Sequence, residues 1–166
     1  MRAAALLFAA GLAAACGDAT ANRIAPPGDP PATAFPAGAV LFGPTEIPIL
    51  LRQCSRQAPE PGEASWQPGG ADILAFEAAL PAELALHPFD GIDWSRWPQG
   101  WRRQYVGIVR GGRRFIYGNF IPNSADYDHR AGTTPMVICD GGEVFFGAEY
   151  DVAARRFTQI AFNGGV

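Results

Sequence analysis

Gly111-Gly112 is the feature that most narrows what this chain can fold into. The dipeptide stands between Gln104–Val109 and Arg114–Phe120, two runs rich in aromatic and β-branched residues. A two-residue type I′ turn needs positive φ at both central positions, which glycine adopts without a Cβ clash, so a tight antiparallel hairpin is predicted here. A second hairpin is predicted from Met136–Cys139 and Val144–Tyr150, turning through Asp140-Gly141-Gly142-Glu143. A third passes through Asp151–Arg155 into Phe157–Phe162. In order, these runs make an antiparallel five-stranded meander.

Only one stretch ahead of the meander has helical periodicity. Between Ala71 and Leu86, the residues Ile73, Phe76, Leu80 and Leu84 recur at three- and four-residue spacing and form one apolar stripe. Pro81 lies inside that stretch; lacking an amide hydrogen, it predicts a kink or the first turn of a second short helix. The fold class expected is α+β, with the single helix packed on one face of the sheet. Val40–Phe42 and Ile47–Leu51 are broken by Pro44 and Pro48, which suggests an edge strand or an irregular packed arm. Residues 57–70 read as loop, with Trp66 folded back onto the core.

The first fifteen residues do not belong to that fold. Arg2, then a run of alanine, leucine and phenylalanine closing on Ala13-Ala14-Ala15, has the layout of an export signal. It is too short to span a membrane, which takes about 20 residues. An ordinary secretory cleavage site fits the three alanines. With Cys16 directly after them, the segment also resembles the signal of bacterial lipoproteins. That resemblance implies that Cys16 is lipidated and becomes the first residue of the mature protein. Gly17 follows where an aspartate would hold such a protein at the inner membrane, so the resemblance implies the outer membrane. Residues 16–38 then form a tether carrying Pro26, Pro27, Pro30, Pro31 and Pro36, and a proline-rich chain of that length reaches about 70 Å. Residues 39–166 remain for one globular domain.

Cysteine parity agrees with this division. The chain has three cysteines; with Cys16 carrying lipid, Cys54 and Cys139 are left as one pair, and an oxidising compartment favours their disulfide.

The mature chain has twelve basic and sixteen acidic residues, a balance that argues against generic nucleic-acid binding. No nucleophile elbow, zinc-protease helix, phosphate loop or repeated Cys-x-x-Cys is present. His87 is expected to cap its helix. Asp126, Asp128 and His129 sit within one short run that could hold a divalent ion, but its composition is that of an ordinary solvated loop, so no metal and no cofactor is expected. The strongest bias lies between Trp94 and Ala125, which holds no acid but contains Trp94, Trp97, Trp101, Arg102, Arg103, Arg110, Arg113 and Arg114. Tryptophan and arginine are enriched at interface hot spots. Arg110 and Arg113 also face one another across the turn, where like charges need a neutralising partner.

The expected function is therefore that of an outer-membrane-anchored periplasmic lipoprotein. It would act as a non-enzymatic protein-binding module of inhibitor, immunity or accessory type, engaging an envelope protein through the arginine–tryptophan segment and the hairpin tip. One alternative is an envelope glycan- or peptidoglycan-binding domain using the tryptophan rings. The other is a small metal-dependent hydrolase built on His129. The membrane would be reached through the lipid alone.

Overall fold

The structure is a computed structural model that describes residues 34–165. The signal segment, Cys16 and most of the tether lie outside these residues. The domain is α+β, but its sheet is mixed and six-stranded rather than a five-stranded meander. The strands are β1 (Ala39–Leu41), β2 (Ala64–Trp66), β3 (Trp101–Arg110), β4 (Arg113–Pro122), β5 (Phe146–Asp151) and β6 (Arg156–Phe162). The sheet order is β1-β3-β4-β5-β6. β1 pairs in parallel with the first half of β3, and β2 pairs antiparallel with its second half. The hairpin expected at Gly111-Gly112 joins β3 to β4, with φ of 58° and 71° at the two glycines.

Helix α2 (Gly70–Leu84) is the helix read from the sequence. Asp72 caps its start by accepting a hydrogen bond from the Gly69 amide at 2.8 Å. Its stripe of Ile73, Phe76, Leu80 and Leu84 is fully buried against Trp101, Tyr105, Ile116, Phe120, Phe146 and Tyr150 on one face of the sheet. Each such side chain contributes about 1.5–3 kcal/mol by leaving water.

The helix runs through Pro81 as one element, so the second short helix expected as one outcome does not form. A proline at position 81 leaves the carbonyl of Glu77 without its intrahelical donor. Trp97 Nε1 donates to that carbonyl at 3.1 Å and takes the missing amide's place.

Two further helices, absent from the sequence reading, cover the opposite face. α1 (Ile47–Leu50) takes the segment expected to be an irregular arm, with Pro48 in its first turn. It packs Leu50 on Val106, Ile108, Phe115 and Tyr117. α3 (Ala125–Ala131), capped by Ser124, forms a cluster with Ile121, Met136 and Phe145. Between them, a disulfide joins Cys54 to Cys139 with the Cα atoms 5.2 Å apart. Among the described residues no helix is long and apolar enough to cross a membrane.

Met136–Cys139 was expected to be the third strand and is not one. Side-chain amides take the place of a neighbouring strand. Met136 N donates to Gln104 Oε1 at 2.9 Å, and Asn119 Nδ2 donates to Met136 O at 2.9 Å. Asn163 Nδ2 donates to Ile138 O at 2.9 Å and to Asp140 O at 2.7 Å. The backbone of this apolar run is satisfied from beneath, so it lies over the sheet instead of joining it.

Candidate functional site

The structure divides the arginine–tryptophan segment: Trp97, Trp101 and Arg103 are interior, whereas Arg102, Arg110, Arg113 and Arg114 reach the surface. Trp97 and Trp101 are 7% and 4% exposed, and Trp94 is half-buried and stacked on Trp101 with ring centroids 5.5 Å apart. Each indole N–H is bonded to a main-chain carbonyl: Trp94 to His87 O, Trp97 to Glu77 O and Trp101 to Val144 O. A glycan platform needs open rings, so these three tryptophans do not make one.

Arg103 is buried as well, at 3% exposure. Its Nε donates to Glu77 Oε1 at 2.7 Å, Nη1 to Pro98 O at 2.8 Å and Trp101 O at 3.3 Å, and Nη2 to Ala37 O. Tyr105 OH donates to the same Glu77 oxygen at 2.8 Å. Burial first, and the Glu77 carboxylate second, push the Tyr105 hydroxyl well above its ordinary range, so it remains a donor. This cluster holds α2, the loop before β3 and the chain entering β1 to one another.

The remaining arginines of the segment reach the surface, and most of them are already paired. Arg102 meets Asp128 at 3.0 Å, Arg110 meets Glu149 at 2.7 Å, and Arg113 meets Asp151. Arg114 lies over the Trp66 ring, 5.1 Å from its centroid. Arg110 and Arg113 are thus neutralised separately by two buried acids of β5. Asp126 and His129 are exposed on α3 with Asp128 engaged by Arg102, and among the described residues no group of three His, Cys, Asp or Glu could hold a metal ion. His87 packs its ring against Phe89 and Phe162.

At the hairpin tip, Glu63 accepts from the Gly111 and Gly112 amides at 3.1 and 3.0 Å. These bonds favour the carboxylate and hold its pKa below the ordinary glutamate range. A group depressed on folding stabilises above its unfolded pKa, and that contribution disappears as pH falls through the folded value. NMR titration of Glu63 is therefore expected to show a midpoint below the ordinary glutamate value, with the Gly111 and Gly112 amide shifts moving in step. A Glu63 midpoint at the ordinary glutamate value would show that the tip is not held this way.

A second buried cation lies on the face opposite α2. Arg56, 9% exposed, reaches Asn163 Oδ1 and Asn119 Oδ1 through its terminal nitrogens and Tyr117 OH at 3.3 Å. No carboxylate among the described residues pairs with it. It anchors the arm that follows Cys54 to the middle of the sheet.

A concave surface lies between α1 and β2. It is a groove of about 640 Å³, walled by Pro44, Ile47, Pro48 and Leu51 on one side and Ala64 and Ser65 on the other, with Ile108 at its floor. Past Pro44, Ile47 and Ser65 it continues into a smaller recess of about 290 Å³ bounded by Phe42, Trp66 and Gly107. Two glycines leave room for β2 and the residues before it to lie against β3. A Cβ on Gly107 would meet Trp66 O at 2.2 Å, and one on Gly62 would meet Val109 O at 2.0 Å. β2 pairs with β3 alone, so its other side carries no ladder among the described residues.

None of these groove residues stands out in the sequence, where Pro44, Pro48, Pro59 and Pro61 read only as loop punctuation. Comparison with protein-family models, with curated proteins and with solved structures finds no match to this chain.

Proposed function

We propose that this protein is a lipid-anchored envelope protein whose domain binds an extended apolar segment of a partner protein in the groove between α1 and β2. One observation carries the reading: an apolar groove with a strand edge for one wall. An incoming chain can add to β2 by main-chain hydrogen bonds while its alternate side chains enter the proline-lined cavity, the mode known as strand addition. The two recesses lie in line along β2 and share Pro44, Ile47 and Ser65, which suits an extended chain better than a compact ligand. The placement in the envelope is supported by the Cys54–Cys139 bridge, which leaves Cys16 as the single cysteine available for lipid. The contact surface proposed here replaces the tryptophan rings.

The test is a photo-reactive phenylalanine analogue at the exposed Ser65, in the full chain within living cells. The expected product is an adduct with one protein, mapped to an apolar extended stretch of it, and lost when Ala64→Arg is added. The membrane fraction should also carry palmitate on the wild-type chain and none on Cys16→Ser. Adducts to lipid or glycan alone, or the same adducts from a probe at exposed Ala153, would refute the groove.

A further inference from the structure

The arm whose Pro59 and Pro61 line the groove also lines a second cavity. This cavity, about 270 Å³, is lined by Gln57–Glu60 together with Arg110, Glu149, Thr158 and Gln159; Pro59 lines it and the groove alike. Glu149 is an acid in mid-strand whose side chain is 3% exposed. Its Oε2 accepts from Arg110 Nη2 at 2.7 Å and from Thr158 Oγ1 at 2.6 Å. Its Oε1 is buried without any hydrogen-bond partner. A buried carboxylate oxygen held that way is costly unless a donor reaches it.

The local charge says what kind of donor fits. Arg110 is acted on by three carboxylates, those of Glu149, Glu60 and Glu63, which together raise its pKa. Of these, Glu149 and Glu60 line the cavity, and one guanidinium against two carboxylates leaves it net negative. A bare metal ion is poorly suited, since among the described residues no three metal-ligating side chains converge. An organic cation carrying several N–H donors satisfies both the free oxygen and the charge. Gln159 Nε2 donates to Gln57 O at 3.0 Å, which leaves the Gln159 amide oxygen as a second acceptor at the cavity.

We propose that this cavity receives a cationic side chain, arginine or lysine, of the partner segment bound in the groove. The assignment of the cation to that segment rests on the groove reading; the cation site itself is tested separately. The partner would carry its basic residue just beyond the apolar stretch, where the chain passes Pro59.

The experiment uses the full chain with isotope-labelled carboxyl groups, titrated with Nα-acetylarginine amide, Nα-acetyllysine amide and the neutral citrulline counterpart. Either cation should move the Glu149 carboxyl and Thr158 signals saturably, and citrulline should leave them still. Glu149→Gln should weaken the response at Thr158 by at least about tenfold, the worth of one hydrogen bond to a charged group. Glu60→Gln, on the exposed rim and without risk to folding, should weaken it by about two- to fivefold. An equal response to citrulline, or shifts confined to acids away from the cavity, overturns the proposal. None of these probes can add a strand to β2, so that failure leaves the groove standing; loss of the Ser65 adduct with the titration intact leaves the cation site standing.

Discussion

Replacing Arg103 by methionine is expected to destabilise the domain by about 3–5 kcal/mol, the typical effect of removing one partner of a buried ion pair. The substitution keeps most of the side-chain volume, so the loss comes from the groups left behind. Glu77, 7% exposed, would be left with Tyr105 as its side-chain partner, and the carbonyls of Ala37, Pro98 and Trp101 would lose their donor. Urea denaturation should show a lower midpoint at unchanged slope. The double variant Arg103→Met with Glu77→Leu should recover part of the loss, because removing both charges also removes their desolvation. A single variant within about 1 kcal/mol of wild type would mean that the pair is dispensable.

Breaking the disulfide should have an effect of similar size by a different route. In the chain-entropy model, opening a loop of 85 residues releases about 4.5 kcal/mol of unfolded-state entropy. Both cysteines are exposed, so Cys54→Ala and Cys139→Ala leave no core cavity that would confuse the result. The two single variants and the double variant should be equally destabilised, and dithiothreitol should bring wild type to the same midpoint. Additive losses would show that the thiols act separately. The arm after Cys54 carries Arg56, Pro59 and Pro61, so reduction should also weaken cross-linking from Ser65.

Some of this architecture was legible because it rests on local chemistry. Gly111-Gly112 forces its turn whatever surrounds it, the Ile73–Leu84 stripe repeats at helical spacing, and cysteine parity singles out one bridge. What could not be read depends on groups far away in sequence. Met136–Cys139 has strand composition, but the amides of Gln104, Asn119 and Asn163 draw it across the sheet. β2 is three residues in a proline-rich stretch, and only the missing Cβ atoms of Gly62 and Gly107 let it dock. The tryptophans misled because composition does not distinguish a ring in the core from a ring in a contact. Their N–H bonds to His87, Glu77 and Val144 decide it. The groove and Glu149 lacked any local signature, since both arise from segments brought together by the fold.

The indole that reaches Glu77 O makes residues 81 and 97 a coupled pair across sixteen positions of chain. A phenylalanine at 97 would be harmless only if 81 regained an amide. In descendants of this sequence the two sites should therefore change together or not at all, and a library that randomises both should return proline at 81 almost exclusively alongside a ring nitrogen at 97.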